Sequence, residues 1–423
     1  QNPSSGEACL TGIALQGRKA MEKIVIVGAG QAAGWAVSTL RQNGYVGEIH
    51  VVSNEDQVFY ERPPLSKQVL SKEASYESLN LFSPEQVQEF NIQWHKPEIA
   101  TKVDREQKQV HLESGQILPY DKLLIATGSR ARVPVNTWQF IPNVVTLRNV
   151  RDCERLAEIL KNAKNVAVIG GGWIGLEIAA TARKQGKDVH IFEYGDRLCA
   201  RSVSPEVSAF LKNMHEAQGT KIHLDSKSLH LVEAPDQKVE VVNHPQHSQL
   251  FDCVVVGAGA EIAKELGVHA GLDVKDGIVV NCFGQTSDQD IYAAGDVAIH
   301  PGLGYCIQSW ANAQNQAIAA AKSMLGIETE YTDIPWLWSD QYHFNIQILG
   351  TYQPEKTKEV VIRQGGEDQV SYLYLGHENR LLNMIAINDS KLIKLAKRWM
   401  QANTVLDPKL LADAEFNVMK LKP

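Results

Sequence analysis

Two glycine-rich turns, each set between an apolar run and a helical one, constrain this chain more than any other feature. The first lies in MEKIVIVGAGQAAG, residues 21–34, and opens the helical pattern AAGWAVSTLRQNG. It meets a GxGxxG template at Gly28 and Gly30, with Ala33 at the third position. In such a turn the first glycine makes the bend, and the second lets backbone approach a pyrophosphate at the helix N-terminus. The second copy, VAVIGGGWIGLEIAA at 166–180, places Gly170, Gly172 and Gly175 in register. One such turn is weak evidence, because glycine serves many loops. Two of them, about 140 residues apart, predict an α/β chain with two Rossmann-like dinucleotide-binding domains.

The strands that follow the turns differ at their ends. DVHIFE closes on Glu193, twenty-three residues after Gly170, where a carboxylate can accept both hydroxyls of an adenosine ribose. That carboxylate would repel a 2′-phosphate, so NADH is expected over NADPH; Arg197 and Arg201 nearby would soften the preference. After the first turn, EIHVVS runs into Ser53 and Asn54 with Glu55 just beyond, so the usual acid is displaced or replaced. Two more apolar strands, in LLIATGSRAR (123–132) and DIYAAGDVA (290–298), end in small-residue turns. In the second, Asp296 is suited to accept a ribityl hydroxyl, with Gly295 permitting close approach. Two dinucleotides meeting in one site are sensibly a flavin and a nicotinamide.

A length of 423 residues gives room for two or three domains with cores of their own. The net charge of −7 argues against a nucleic-acid binder, which would normally be basic. No run of eighteen apolar residues exists to span a membrane. Residues 1–20 lack the basic start and apolar stretch of a signal peptide. They read as a disordered extension or a remnant foreign to the native chain, with Met21 as the native start and a cytoplasmic location expected. Six cysteines (Cys9, Cys153, Cys199, Cys253, Cys282 and Cys306) show no CxxC or metal-ligand spacing, so reduced thiols and no metal are expected. Electron transfer through a dithiol needs two close cysteines, and residues 40–80 contain none.

Beyond these local signals, YERPPLSK (60–67), ATGSRAR (126–132), GGGWIGLEIAATARK (170–184), TSDQDIYAAGDVA (286–298) and PWLWSDQY (335–342) occur in a telling order and spacing. With them the chain resembles the FAD-dependent ferredoxin reductases of bacterial oxygenase systems, from about Ile24 to near its C-terminus. PPLSK and WSDQY separate this branch from the wider glutathione-reductase-like superfamily. The nearest likeness is to reductases serving Rieske-type ring dioxygenases, such as the 3-phenylpropionate system.

The resemblance implies that electrons pass from NADH through FAD to a [2Fe–2S] ferredoxin, which feeds an aromatic-ring dioxygenase or a cytochrome P450. It places FAD against Gly28, Gly30, Ala33, Asn54, Lys67, Arg132, Asp296 and the backbone of Ile99 and Trp310. NADH falls to Gly170, Gly172, Gly175 and Glu193. Lys67 is implied to lie beside the flavin with Glu177 as its ionic partner, and Trp338 near the approach of the nicotinamide. Lys67 would then stand where dithiol relatives carry cysteines, so that electrons leave from the flavin itself. Three departures from the family pattern are Asn54 for an acid near the ribose, Gln308 for a glutamate, and GAGAEIAKEL (257–266) without a proline after its strand turn.

The expected architecture is an FAD domain from 21–130 and 257–332, with an NADH domain over 145–256 between them. An α+β domain over 333–423 follows, its alternating strands forming an antiparallel sheet closed by the helix SKLIKLAKRWMQA. That domain would cover the flavin or build a dimer interface, leaving monomer and homodimer open. Trp336 and Trp338 are expected on one face each of a strand, with Trp338 functional and Trp336 packing. His190, alternating with apolar neighbours, is expected to be structural. The rival readings are an NADH oxidase or disulfide reductase, a rubredoxin or monodehydroascorbate-type reductase, and a non-catalytic flavoprotein like apoptosis-inducing factor. The first pair needs a redox cysteine near the flavin; the last wants a basic surface.

Overall fold

The computed structural model describes residues 21–244 and 247–423; the expectations for residues 1–20 and for Cys9 lie outside them. Two five-stranded parallel sheets carry the two glycine turns. The first runs Ile291–Ala293, Lys122–Ile125, Lys23–Val27, Glu48–Val52, Ile92–His95. The second runs Lys221–His223, Asp188–Phe192, Asn165–Ile169, Cys253–Val256, Val144–Val145. Parallel strands are covered on both faces, and so read as unbroken apolar runs. Accordingly Ile24, Val25 and Ile26, and likewise Val166, Ala167 and Val168, are all fully buried.

Each sheet carries an antiparallel three-stranded meander beside it, Ala100–Pro119 in the first and His230–Phe251 in the second. The chain passes between the two domains twice. The two passages, Ser129–Ala131 and Ala260–Ile262, pair as a short antiparallel ribbon. On the first sheet the helix Gln31–Gln42 packs against the helix Trp310–Met324. Ala33 and Ala36 share one buried core with Ala313, Ala317, Ala320 and Ala321, small side chains that let the two helices come close.

The last domain is a five-stranded antiparallel sheet in the order Trp336–Gln341, Phe344–Gly350, Leu381–Ile387, Gln369–Leu375, Glu359–Gly366. Alternation along a strand sends successive side chains to opposite faces. Ile346, Ile348, Tyr372 and Tyr374 point to a core shared with Leu65 and Val69 of the Pro-Pro loop and with Val207, Leu211 and Met214. Leu349, Leu373 and Leu375 point the other way, onto Leu392, Leu395, Ala396 and Trp399 of the helix Ser390–Ala402. Both faces of this sheet are therefore covered within the chain. One expectation is corrected here: Trp336 and Trp338 lie on the same face, because residues two apart on a strand point the same way. Their rings stack with centroids 5.3 Å apart and planes 22° from parallel.

Candidate functional site: two glycine cradles and a buried lysine

At the first turn Gly28 has φ +119°, and a Cβ there would stand 2.0 Å from the Ala126 carbonyl oxygen. At the second, Gly170 has φ +107°, and a Cβ would stand 2.1 Å from the Gly257 carbonyl oxygen. The two turns are the same device in two places, each pressed against the end of a neighbouring strand. Gly30 and Gly172 differ from them, since a Cβ on either would meet nothing within 4 Å. Each is the N-cap of its helix, and neither helix start has a side-chain cap bond. By contrast, Asn149 and Ser309 cap the helices behind them. Open space in front of unsatisfied helix N–H groups is what a pyrophosphate fills. The residues present therefore fit a dinucleotide at both turns.

At the third template position the turns part company. A Cβ on Gly175 would lie 2.1 Å from the Gly170 carbonyl oxygen, whereas Ala33 already carries one in a fully buried position. Glu193 reaches back to the second turn: its Oε1 accepts from the Gly171 N–H at 3.0 Å and its Oε2 from the Gly195 N–H. Arg197 turns elsewhere, donating to the Val203 carbonyl at 2.6 Å and to Ser208 Oγ at 2.9 Å; Arg201 stays exposed. Near the first turn Asn54 is exposed at the end of its strand. Glu55 is committed elsewhere, accepting from Tyr60 OH at 2.5 Å and Arg62 Nη2 at 3.0 Å. Ile99 is close by, since the Glu98 N–H donates to the Ser53 carbonyl at 2.7 Å. The Ile99 amide is bonded to Glu98 Oε1 at 3.0 Å, and its carbonyl accepts from the Glu113 N–H at 2.8 Å.

Asp296 accepts from Ser129 Oγ at 2.8 Å and lies 3.4 Å from Arg148 Nη2. Beside it Gly295, at φ +85°, donates its N–H to Gln316 Oε1 at 3.0 Å. Arg132 is exposed, its N–H donating to the Gly259 carbonyl at 3.1 Å. Trp310 opens its helix, and its Nε1 is buried with no hydrogen-bond partner. That ring meets Trp338 edge-on, centroids 5.9 Å apart.

Lys67 stands where these parts converge. Pro63 and Pro64 have their φ pre-set, and Pro63–Ser66 forms a single 3-10 turn. Arg62 anchors its start through Glu55 and the Arg148 carbonyl, the latter at 2.8 Å. Thr181 Oγ1 holds its end, donating to the Ser66 carbonyl at 2.9 Å. Lys67 follows at 9% exposure, its Nζ 3.5 Å from Glu177 Oε2, 3.9 Å from Asp340 Oδ2 and 5.3 Å above the Trp338 ring centroid. Glu177 is itself buried and accepts from Ser66 Oγ at 2.7 Å and Ser339 Oγ at 2.5 Å. Burial pushes its carboxyl above the usual range, and the Lys67 ammonium is the largest influence pulling it back.

Ser66 and Ser339 fall inside YERPPLSK and PWLWSDQY, but no local signal marks either of them, nor Arg148 and Gln316, which also join the site. Cys153 donates to the Leu65 carbonyl at 3.4 Å beneath the Pro-Pro turn, but it stands there as a free thiol pushed up to about 11 by burial. Cys253 is pushed up to about 12 in the same way, and Cys199 is raised further. His190 is buried, its Nδ1 2.9 Å from His223 Nε2, a pairing within the sheet. Among the described residues no group of three or more His, Cys, Asp or Glu could hold a metal, and no helix is long and apolar enough to cross a membrane.

Two nucleotide cradles, a buried lysine–glutamate pair and a C-terminal antiparallel domain define a flavin- and nicotinamide-dependent oxidoreductase. The family model of pyridine nucleotide-disulphide oxidoreductases matches residues 22–317, and that of the reductase C-terminal domain matches 336–422. The chain belongs to this family, among its FAD-dependent ferredoxin reductases, and its cofactors are FAD and NAD(H). It is 32% identical to putidaredoxin reductase, solved in a covalent complex with putidaredoxin, with a TM-score of 0.88 over 95% of this chain and 98% of that one. The ferredoxin reductase for the CYP199A2 system from Rhodopseudomonas palustris is also 32% identical, with a TM-score of 0.88 over 95% of this chain and all of that one. A water-forming NADH oxidase from Lactobacillus brevis, bound to NADH, shares the fold at a TM-score of 0.82 and 20% identity, covering 95% of each chain.

Proposed function

We propose that this chain is the NADH-dependent reductase of an oxygenase system, delivering electrons one at a time to a [2Fe–2S] ferredoxin. One observation carries the reading: the rigid Pro-Pro turn presents a buried cation, Lys67, where a dithiol mechanism would need two close cysteines. The likeness to a reductase solved in covalent complex with putidaredoxin supports the ferredoxin as acceptor. The oxygenase is either a Rieske-type ring dioxygenase or a cytochrome P450; the Rhodopseudomonas palustris relative serves a system of the second kind, CYP199A2.

FAD, when bound, supplies the conversion between a hydride donor and one-electron acceptors, which no side chain here can perform. The chain's own residues bind, orient and balance charge. Gly28, Gly30 and the open helix start behind them take the pyrophosphate, and Asp296 offers a carboxylate to a ribityl hydroxyl. Gly170, Gly172 and Glu193 seat NADH in the second domain. Lys67 stabilises negative charge that develops beside it, at a place where low polarity strengthens the interaction. Glu177 limits that stabilisation by neutralising part of the ammonium charge. Trp338 covers Lys67 on one side, backed edge-on by Trp310, and helps keep bulk water from the pair.

Rapid-mixing reduction by NADH, followed by transfer to a [2Fe–2S] ferredoxin, tests this. Lys67→Met should slow reduction by about tenfold or more and shift the flavin potential negative, with FAD still bound. Alanine or serine at all six cysteines, or alkylation of the native enzyme, should leave transfer largely intact. If Lys67→Met behaves as wild type while blocked thiols abolish transfer, the proposed function is wrong.

A further inference from the structure

The Lys67–Glu177 pair does not end at the carboxylate. Ser339 Oγ, which bonds Glu177, lies 3.0 Å from Gln341 Nε2, and Gln341 Oε1 lies 2.8 Å from His215 Nε2. All three added residues are buried, Ser339 and His215 completely. They come from different parts of the fold. Ser339 and Gln341 sit on the edge strand of the C-terminal sheet, and His215 on the helix Pro205–Ala217 of the second domain.

The polarity of this chain follows from what each group can donate. An ionised Glu177 can only accept, so Ser339 spends its single proton on it. The Ser339 oxygen is then left to accept from the Gln341 amide NH2. The Gln341 carbonyl in turn requires a donor, which makes His215 the Nε2–H tautomer with a bare Nδ1. His215 Nδ1 is indeed buried with no partner. Proton uptake by Glu177 at Oε2 would reverse each link, turning the Gln341 amide over and moving the histidine proton to Nδ1. The arrangement observed is the one that favours the charged carboxylate.

We propose that Ser339, Gln341 and His215 are positioning residues that hold Glu177 ionised against its burial, and so set how much of the Lys67 charge reaches the flavin. This rests on the reading that Lys67 lies at the flavin. Lys67 and Ser66, which donates to the other oxygen, Oε1, at 2.7 Å, also favour the charged form, and the chain through Ser339 adds to them at Oε2. Asp340 pairs with Lys67 Nζ rather than with Glu177, its Oδ2 at 3.9 Å. Burial holds the His215 ring neutral and keeps the Cys199 thiol protonated. The C-terminal domain thereby acts on the redox centre through a directed hydrogen-bond chain, as well as by covering the loop.

The sign of the effect is opposite to that of losing Lys67. The Glu177 carboxyl is already raised by burial, and hydrogen bonds to the charged form hold it down. Removing the Ser339 donor should increase its proton affinity roughly 10- to 100-fold. A protonated Glu177 leaves Lys67 unbalanced, which favours the reduced, anionic flavin and shifts its potential positive.

The test is spectroelectrochemical titration of the FAD-loaded enzyme over a range of pH, beside infrared detection of the Glu177 carboxylic band, identified by its loss in Glu177→Gln. In Ser339→Ala that band should appear about one to two pH units higher than in wild type, and the break in the potential-versus-pH curve should move with it. Ser339→Thr, which keeps the hydroxyl, should titrate as wild type. Gln341→Met and His215→Phe should give smaller shifts in the same direction, because they act through Ser339. A Ser339→Ala enzyme whose band and break match those of Ser339→Thr overturns the proposal. Should Ser339→Ala not fold, an unshifted Gln341→Met overturns it equally. If Lys67→Met moves the potential negative while the Ser339 and Gln341 variants move nothing, Lys67 keeps its place and the chain is purely structural. If Lys67→Met moves nothing either, the placement of Lys67 falls and the proposal with it.

Discussion

Glu193 is held before any nucleotide arrives. One carboxylate oxygen accepts from the Gly171 N–H of the second turn and the other from the Gly195 N–H of its own loop, so its position costs little to fix on binding. Arg197, the nearest candidate to offset its charge, is spent on the Val203 carbonyl and Ser208 Oγ. Glu193→Ala should therefore lower kcat/KM for NADH by roughly 10- to 100-fold, the worth of a charged hydrogen bond. NADPH should lose nothing, so the ratio between the two cofactors narrows; steady-state kinetics with both measures it. An unchanged ratio would mean the carboxylate does not face the ribose. Glu193 was legible because its signal is local, an acid at the end of the strand after a glycine turn. Ser339, Gln341 and His215 were not, because each matters only through a partner 2 to 162 positions away in the chain. A serine directly after a tryptophan, or a histidine on a helix, carries no mark of that.

At the scale of elements, the strand–turn–helix units were the readable parts, since an apolar run and a glycine turn are features of consecutive residues. Their geometry makes a prediction that separates the two nucleotide sites. Gly28 and Gly170 both have positive φ, and each would drive a new Cβ into a backbone carbonyl that cannot swing aside. Alanine at either position should cost on the order of 1–3 kcal/mol locally and distort the turn it occupies. Gly28→Ala should lose FAD, seen as a fall in visible absorbance per chain. Gly170→Ala should remain yellow yet bind NADH weakly, seen in the concentration dependence of its reduction. If both variants lose flavin equally, the two turns do not serve separate cofactors. The expectation for the tryptophan pair fails at this same scale: alternation does not separate Trp336 from Trp338, because a pleated strand puts residues two apart on one face. In the stacked pair that results, Trp338 faces Lys67 and meets Trp310 edge-on.

Across the whole molecule, charge is distributed against its average. The chain carries a net −7, yet the exposed positions of the helix Ser390–Ala402 include Lys391, Lys394, Lys397 and Arg398. Its buried positions, Leu392, Ile393, Leu395, Ala396 and Trp399, are spent on the C-terminal core, so the cations are what this helix shows outward. Lys397 also lines a hollow of about 280 Å³ with Trp310, Tyr331 and Trp336, and both tryptophans pack on Trp338, the ring that faces Lys67. A cationic patch beside the proposed point of electron exit would steer an acidic partner and leave a small neutral acceptor indifferent. Fields of this kind are screened within about 8 Å at physiological ionic strength. Reduction of a [2Fe–2S] ferredoxin of net negative charge should therefore lose roughly tenfold or more in kcat/KM as salt is raised from low to several hundred millimolar. NADH-dependent reduction of a small uncharged quinone should show little of that slope. The double variant Lys394→Glu, Lys397→Glu should lower kcat/KM for the ferredoxin at low salt and flatten its salt dependence, while quinone turnover and flavin content stay at wild-type values. A double variant with an undiminished salt slope would place the docking face elsewhere on the molecule.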